Sequence, residues 1–479
     1  MFWWTLLLAC QAPAPSEGST AGTPTPSSST VPTADSAVVG SPTADSSPDT
    51  VAPTADSTSP WSGEPTASPY VLRSGPPPDN VLFLSIDTTR ADRLNGNGYT
   101  GAVTSPHVDA LLDRGLALRH HYSCSSWTMA SFLCLLTARD QLTIGYWPDN
   151  HTGSGIAPYP TDDLPSLARQ LSDEGFATSL VTGNSLISTN FNMSQGHDTV
   201  KRTFSARETA HEGIAAVERL TDGDERWFLH VHFMDPHTPY DAPEAFRTKG
   251  TDCVYDVADI DAFHDLRSEW ATLSADDQAA CQAHLTMLYD GLIAHTDAQL
   301  QRVVDALEAS GAADTTLILF ATDHGEAFYE HGDWEHGHDL HNELQRATAG
   351  LVYPPRIAPA VHDELTGHQD LVPTLREALD LPPLADATGV PIGSAPIDAV
   401  HGLVYRNART VQSVTTPTGR LQYRWDGAAW FYAADDLAEV DDLYDLDDPD
   451  VQAHWSLLRP QIDELASRVT DGSVPLGLP

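Results

Sequence analysis

Two unbroken apolar segments of the chain each end abruptly in a carboxylate. Residues 80–86 precede Asp87, and residues 316–322 precede Asp323 and His324. A run without polar alternation is typical of a strand that is buried on both faces of a parallel sheet. A side chain just beyond the carboxyl end of such a strand lies in the crevice where open α/β sheets bind ligands. Either aspartate alone would be interpreted as a helix cap, but the two together with an imidazole predict half of a metal site.

A polar segment at 122–128 leads into an apolar, helix-like segment at 129–137. This pattern predicts a helix with Thr128 near its N-terminus, where free N–H groups and the helix dipole favour an anion or a developing alkoxide. In isolation, Thr128 would be interpreted as a helix cap. Cys124 is a rival nucleophile, because a thiolate is intrinsically more reactive than a hydroxyl. These residues alone leave the choice between the two open.

The chain of 479 residues is long enough for one large domain and a smaller one. Its 25 basic and 67 acidic residues give a formal net charge of −42. This charge argues strongly against nucleic acid as a partner, because phosphates are bound by Lys and Arg. It also disfavours a polybasic patch on the protein that would bind a membrane surface. We interpret the acidic residues as a solvated surface.

The chain begins with a short apolar segment, residues 1–10. The segment is too short to span a bilayer, which takes about 20 apolar residues. Its end, Leu7-Leu-Ala-Cys10, resembles the lipobox of bacterial lipoproteins, in which the cysteine is lipidated. Because a basic n-region is missing, an ordinary export signal and a misassigned start codon stay open as alternatives. We expect a lipoprotein-type signal, with a lipid anchor at Cys10 as the protein's only membrane contact.

Residues 11–78 are rich in Pro, Ser and Thr, and they repeat Pro-Thr-Ala-Asp-Ser at 32–36, 42–46 and 53–57. Such a segment cannot bury enough apolar surface to offset its ordering entropy, so we expect a disordered stalk. Gln11 stands where an aspartate often retains lipoproteins at the inner membrane. The expected location is therefore the bacterial cell envelope, with the anchor in the outer membrane or at the cell surface.

Besides Cys10, the chain contains Cys124, Cys134, Cys253 and Cys281. In an exported protein Cys253 could pair with Cys281, but the sequence does not fix the connectivity of disulfides. Cys124 and Cys134 both lie in the segment 122–137 that contains the candidate nucleophiles.

Several motifs resemble, in order along the chain, the sulfatase branch of the alkaline phosphatase superfamily. The resemblance covers about residues 79–470. The matching segments are 80–92, 104–112, 167–178, 228–240, 289–297, 322–326, 370–375 and 443–449. Each segment is weak evidence alone, whereas the full set in this order is specific. The resemblance implies an alkaline-phosphatase-like α/β fold with a mostly parallel central sheet flanked by helices.

The expected organisation is a sulfatase-like catalytic domain at 79–395 and a small C-terminal α+β subdomain at 396–479. Within the subdomain, residues 410–414 and 421–425 have the pattern of short strands in a hairpin before a final helix.

By the same resemblance, Thr128 takes the position of the residue that sulfatases convert to formylglycine. The usual signature has Cys or Ser first, Pro or Ala third and Arg fifth, whereas this chain reads Thr128-Met-Ala-Ser-Phe132. Conversion to formylglycine is therefore not expected. Threonine nucleophiles occur in relatives that act on phosphoesters, such as nucleotide pyrophosphatases and phosphoethanolamine transferases. The implied mechanism is a metal-activated attack by Thr128 on sulfur or phosphorus.

The metal ligands that the resemblance implies are Asp87, Thr128, Asp323 and His324. Three oxygens and one nitrogen suit one divalent metal ion, which would be Ca²⁺, Mn²⁺ or Zn²⁺. Thr88 stands where the family often has a second aspartate. The lower negative charge of the site favours a transition metal over Ca²⁺.

Three further histidines are candidates for acting on the substrate. The resemblance implies that His237 contacts the transferred group or the leaving oxygen. His336 or His338 is expected to bind the anion or to protonate the leaving group. The histidines without an expected role in the reaction are His230 and His232, which we expect to be structural, and His331 and His341, which we expect at the surface.

The lysines with which sulfatases hold the sulfate are missing from their expected positions. The segment Thr182-Gly-Asn-Ser185 replaces the family pattern Gly-Lys-Trp-His, and after Gly337 the nearest cation is Arg346. The oxyanion is therefore expected to depend on histidines.

The expected function is that of a sulfatase-like, metal-dependent hydrolase of sulfate or phosphate esters, acting on a small-molecule or glycan ester. One alternative is a phosphoethanolamine-type transferase, although such proteins usually carry an N-terminal membrane-helical domain. The other is a catalytically inactive binding protein of the same fold. Without a formyl group, water must attack sulfur or phosphorus directly, which is easier at phosphorus. Phosphoester activity is therefore expected to equal or exceed sulfatase activity.

Overall fold

The computed structural model describes residues 72–145, 160, 162–247, 253–405, 409–469 and 478. The predicted signal with Cys10 and most of the predicted stalk lie outside these residues, so the lipid anchor and the cell-envelope location stay predictions. In the described part of the chain, no helix is both long and apolar enough to cross a membrane.

The strands of the described residues form one large sheet and two smaller ones. In chain order they are β1 (Asn80–Ile86), β2 (Leu116–Tyr122), β3 (Ala177–Thr182), β4 (Thr199–Arg202), β5 (Trp227–Phe233), β6 (Thr316–Thr322), β7 (Ala327–Phe328), β8 (Trp334–Glu335), β9 (Arg346–Val352), β10 (Ala360–Gly367), β11 (Val400–Val404), β12 (Val411–Thr416), β13 (Gly419–Arg424) and β14 (Ala429–Ala433). The large sheet has the order β10-β2-β9-β6-β1-β5-β3-β4. Its neighbouring strands are parallel except where β9 pairs with β2 and β6. The sheet is therefore mostly parallel, as the sequence predicts.

Helices cover both faces of the large sheet. The α-helices of the described ranges, which include one that packs on the C-terminal sheet, are α1 (Pro106–Leu112), α2 (Thr128–Thr137), α3 (Gln141–Ile144), α4 (Leu167–Asp173), α5 (Ala206–Thr221), α6 (Ile260–Glu269), α7 (Ala275–Ser310), α8 (Asn342–Gln345), α9 (Leu371–Ala378) and α10 (Pro449–Arg468). Val81 and Phe83 of β1 belong to a core with α2, α4 and α9, whereas Leu82 and Leu84 belong to a second core with α1, α5 and α7. Because successive side chains of a strand point to opposite faces, the unbroken apolar run fits a strand covered on both sides.

The strands β11–β14 form a separate antiparallel sheet, which packs against α10. The two predicted hairpin segments correspond to β12 and β13, which pair antiparallel. This sheet also contacts the segment before α2, since the Leu403 N–H donates to the Cys124 carbonyl at 2.9 Å. The predicted fold class is confirmed, with a mixed α/β part and a C-terminal antiparallel subdomain. The exact domain boundaries stay predictions.

Candidate active site

The carboxyl ends of β1 and β6 bring together the two aspartates that the sequence singled out. The strands are adjacent and parallel, so Asp87 and Asp323 follow them at the same edge of the sheet. Both residues are 0% exposed. One ligand atom from each, and one from His324, lie within 4.8 Å of one another. This spacing suits three ligands of a single ion.

Asp323 has one oxygen held by donors and one that is free. Its Oδ1 accepts the backbone N–H groups of Thr88 at 3.0 Å and His324 at 2.7 Å. Its Oδ2 has no hydrogen-bond partner among the described residues. Thr88 itself has a φ of 45°, in the left-handed region that β-branched residues rarely adopt. Such backbone strain is typical of functional sites.

Asp87 is held in the same manner by side chains. Its Oδ2 accepts the amide of Asn184 at 2.5 Å and lies 3.1 Å from His232 Nε2. Its Oδ1 lacks a hydrogen-bond partner within the described ranges. Asn184 comes from the segment that replaces the family's lysine pattern, so this segment contacts a carboxylate. Since buried polar oxygens normally have partners, two free carboxylate oxygens in one place indicate a cation site.

The protonation of the two aspartates supports the same interpretation. Burial and the charge of Asp87 raise the pKa of Asp323 well above its usual value. Burial would also raise the pKa of Asp87, but the hydrogen bond and charge of His232, followed by the charges of His237 and His324, hold it below its ordinary value. Two adjacent buried carboxyl groups do not both ionise easily unless a cation is present. The donor set therefore fits a divalent ion.

Thr128 is the first residue of α2, and its hydroxyl lies beside His324. Its Oγ1 lies 3.3 Å from His324 Nε2, and the residue is 1% exposed. The cap position belongs to Trp127, which makes no side-chain capping bond. Ser131 of the same helix donates to the Asp323 carbonyl at 2.8 Å, which ties the helix to the end of β6. We name Asp87, Thr128, Asp323 and His324 the carboxylate centre.

Two more imidazoles lie beside the carboxylate centre. The ring centroid of His336 lies 4.6 Å from that of His324 and 5.1 Å from that of His237. His336 Nδ1 is 2.9 Å from Glu326 Oε1, and His237 Nδ1 is 2.8 Å from the Thr238 carbonyl. Because Nδ1 of each ring is engaged by an oxygen, Nε2 is the atom that each ring can offer to a substrate.

The surroundings move the pKa values of these groups in different directions. Burial raises the pKa of Glu326 to about 7. Burial and the neighbouring His324 and His237 hold the pKa of His336 well below its ordinary value. Burial would lower the pKa of His237, but the charges of Asp87 and Glu326 raise it. Neighbouring groups whose pKa values are shifted in opposite directions are typical of catalytic sites.

His338 is placed differently from His336. Its Nε2 lies 2.9 Å from the Trp334 carbonyl, and the residue is buried. Its Nδ1 has no hydrogen-bond partner in the described part of the chain. Its expected role toward the anion stays a prediction.

The cysteines answer one question that the sequence left open. Cys124 is bonded to Cys134, and Cys253 is bonded to Cys281. In this state Cys124 has no free thiol with which to act as a nucleophile. Thr128 belongs to the carboxylate centre, whereas Cys124 is part of a disulfide.

A second group of histidines and carboxylates lies where the α/β part meets the C-terminal sheet. His341 is 4% exposed, and its Nδ1 lies 2.6 Å from Glu439 Oε2. His331 Nδ1 lies 2.7 Å from Glu343 Oε1, and the two imidazoles stack with centroids 3.7 Å apart. Arg420 Nε lies 3.3 Å from Glu439 Oε1. We name these five residues the C-terminal clasp. The expectation that His341 lies at the surface is wrong, because a carboxylate of the C-terminal part holds its ring in the interior, whereas His331 is half-buried.

Sequence reasoning missed the roles of Glu326, Asn184 and His232 in this site. Glu326 is the last residue of the 322–326 motif, but the sequence did not reveal its contact with His336. His232 alternates with His230 on β5, and only the register of β1 and β5 reveals that it reaches Asp87.

The sequence profile of the Sulfatase family matches residues 79–381, which is more than half of the chain. The fold and the site thus define a member of the sulfatase class of α/β enzymes. The chain belongs to the sulfatase family.

Curated relatives are similar over only part of the chain. Choline-sulfatase of Rhizobium meliloti (strain 1021) is 28% identical over 179 residues, covering 35% of this chain and 35% of that protein. Arylsulfatase of Clostridium perfringens (strain 13 / Type A) is 22% identical over 367 residues, covering 62% of this chain and 74% of that protein. The chain therefore spans about a third of the first relative and about three quarters of the second.

Solved structures share the fold at low identity. A structure in complex with its substrate D-glucosamine-2-N,6-O-disulfate has a TM-score of 0.67 at 14% identity, covering 83% of this chain and 100% of that chain. The phosphonate monoester hydrolase of Agrobacterium radiobacter has a TM-score of 0.62 at 19% identity, covering 82% of this chain and 96% of that chain. At these identities the likeness establishes the fold alone.

Proposed function

We propose that the protein is a metal-dependent hydrolase of sulfate or phosphate esters in which Thr128 is the nucleophile. Membership of the sulfatase family supports the reaction class. The observation that carries the proposal is the carboxylate centre, where a free oxygen of Asp87 and one of Asp323 lie beside His324 and the Thr128 hydroxyl. A phosphoethanolamine-type transferase and an inactive binding protein are not favoured, because the relatives are named as sulfatases and as a phosphonate hydrolase.

Asp87, Thr128, Asp323 and His324 would hold one divalent ion. Such an ion, when bound, stabilises developing negative charge and lowers the pKa of a hydroxyl group in its coordination sphere. Thr88 in place of a second carboxylate, together with an imidazole ligand, favours Mn²⁺ or Zn²⁺ over Ca²⁺. The two free oxygens and the raised pKa of Asp323 support this assignment.

Thr128 lies where the N-terminus of α2 favours an anionic oxygen. The Thr128 hydroxyl releases its proton to solvent as its Oγ forms a bond to sulfur or phosphorus and the bond to the ester oxygen breaks. His237 and His336 offer Nε2 atoms to the substrate, one to hold the transferred group and the other to give a proton to the leaving oxygen. Water then attacks the sulfur or phosphorus of the Thr128 ester. This step releases sulfate or phosphate and restores the hydroxyl.

The nucleophile also bears on the choice of substrate. A threonine ester lacks the second hydroxyl through which a formylglycine hydrate expels sulfate, so water must attack the central atom directly. We propose that phosphoesters are turned over at least as fast as sulfate esters. The substrate belongs to the small-molecule or glycan esters, and the sulfated glucosamine bound by a structural neighbour supports a glycan.

The test is an assay of the metal-loaded protein on matched aryl sulfate, aryl phosphate and aryl phosphodiester substrates. Thr128→Ala should abolish turnover on every substrate without changing the fold, and Thr128→Ser should keep part of it. Thr137→Ala removes another hydroxyl of α2, whose bond goes to the Leu133 carbonyl, and should stay active. Full activity in Thr128→Ala would show that another group is the nucleophile.

A further inference from the structure

A chain of buried polar side chains leads from the interior of the large sheet to Asp87. β1 and β5 are adjacent and parallel, and Ser85 pairs in register with His232. His230 Nε2 lies 2.8 Å from Ser85 Oγ, and His232 Nδ1 lies 2.8 Å from the same oxygen. His232 Nε2 then lies 3.1 Å from Asp87 Oδ2. Each of these residues is at most 2% exposed.

The hydrogen-bond chain has one consistent direction when His232 is neutral, and His232 Nε2 donates to Asp87 in either charge state. An ionised carboxylate only accepts, so His232 Nε2 donates to Asp87 Oδ2. Nδ1 of a neutral imidazole is then an acceptor, and the Ser85 hydroxyl donates to it. Ser85 Oγ in turn accepts the Nε2–H of His230. The tautomer of His232 is thereby fixed by a side chain on the neighbouring strand.

The chain determines which oxygen of Asp87 is available. Oδ2 receives two donors, His232 Nε2 and the Asn184 amide, and Oδ1 receives none from the described residues. Oδ1 is therefore the atom free to bind an ion. The ring of His232 also packs edge-on against Phe132 of α2 at 5.1 Å, which limits its rotation.

We propose that His232, fixed by Ser85 and His230, is a positioning residue that orients Asp87 toward the metal ion. The inference rests on the proposed metal centre, and it adds three residues that the family comparison does not assign. Partners behind a metal ligand typically change metal affinity by about 10–100-fold when they are removed. His232 touches neither substrate nor metal in this role.

Metal affinity measured without substrate tests the proposal. Mn²⁺ is titrated into the metal-stripped protein, and the free ion is followed by electron paramagnetic resonance. His232→Phe keeps the ring volume and removes the donor, so its Kd for Mn²⁺ should rise about 10–100-fold. His232→Gln retains an amide donor and should recover most of the affinity. Ser85→Ala releases the ring without changing its size and should raise Kd by a smaller factor.

His197→Phe is the matched control, since His197 is a half-buried histidine whose Nδ1 lies 3.1 Å from the Ser194 carbonyl and which does not contact Asp87. Its Kd should equal that of the unmodified protein. An unchanged Kd in folded His232→Phe would overturn the proposal, and so would an unchanged Kd in Ser85→Ala if His232→Phe failed to fold. Absence of Mn²⁺ binding to the unmodified protein would instead contradict the proposed metal centre. Activity in Thr128→Ala would contradict the nucleophile and leave this inference standing.

Discussion

The carboxylate centre and the C-terminal clasp contain similar side chains but differ in the groups that face their carboxylate oxygens. Each region brings at least three ligand-type groups within reach of one ion, namely Asp87, Asp323 and His324 in one and His331, His341 and Glu439 in the other. In the carboxylate centre, two carboxylate oxygens have no hydrogen-bond partner among the described residues. In the clasp, Glu439 Oε2 is bonded to His341, and its Oε1, which also has no hydrogen-bond partner within the described part of the chain, lies 3.3 Å from the charged Arg420 guanidinium.

His331 shows why the clasp is a poor metal site. Its Nδ1 faces Glu343 Oε1 at 2.7 Å, and its Nε2 faces the Glu439 carbonyl at 3.1 Å. Because both partners accept, both ring nitrogens donate, and no lone pair is left for an ion. The stacked rings are also within 6° of parallel at 3.7 Å, so their lone pairs do not converge. The cationic partner of the free carboxylate oxygen in the clasp, more than the residue types, distinguishes the two regions.

The largest expected difference is in turnover. Asp323→Asn should lower kcat by about 10³-fold or more, because a metal ion contributes several kcal/mol and each tenfold corresponds to about 1.4 kcal/mol. It should also abolish Mn²⁺ binding. Glu439→Gln, the same change of acid to amide in the clasp, should leave Mn²⁺ affinity unchanged. Loss of Mn²⁺ binding in Glu439→Gln alone would reverse the assignment of the two regions.

The second expected difference is in stability. Glu439→Gln leaves the buried guanidinium of Arg420 without its charge partner. Breaking such a pair costs about 3–5 kcal/mol. The free energy of unfolding, measured in urea by tryptophan fluorescence, should therefore fall by that amount. Asp426→Asn is the control, because its pair with Arg424 is exposed and worth less than about 1 kcal/mol. Equal stability losses in the two variants would show that the clasp is not a structural pair.

The smallest expected difference is a pH dependence of stability. Burial alone would lower the pKa of His331. The hydrogen bond and charge of Glu343 together outweigh burial and raise this pKa to about 9 from the usual 6.5. A raised pKa gives stability that is complete below pH 6.5 and is lost as pH rises toward 9. Since the side chain is 20% exposed, the loss should be about 1 kcal/mol. In His331→Gln, the free energy of unfolding should change less between these pH values than in the unmodified protein. An unchanged dependence of this free energy on pH would show that another group titrates.

The fold could be predicted because its main strands are covered on both faces. Residues 81–84 and 317–321 are apolar on both faces of their strands, which is typical of a strand covered on both sides. The end of such a strand also predicts where Asp87 and Asp323 lie. The alternating pattern of the C-terminal hairpin was equally readable, since one face of that sheet packs on α10.

The remaining parts of the site depend on contacts that a single sequence does not reveal. His341 meets Glu439 across 98 positions, so its burial was invisible and it was expected at the surface. His232 reaches Asp87 across 145 positions through the pairing of β1 and β5. Glu326 contacts His336 only ten positions away, but through a turn whose geometry the motif does not encode.

The most direct test of the carboxylate centre is to locate the group that becomes covalently modified during turnover. The metal-loaded protein is quenched in acid while it hydrolyses an aryl phosphate in excess, and its peptides are analysed by mass spectrometry. We expect the phosphoryl group on Thr128 and on no other residue, and we expect the signal to vanish in Asp323→Asn. A phosphoryl group on a different side chain, with Thr128 unmodified during rapid turnover, would contradict the assignment of Thr128 as the nucleophile.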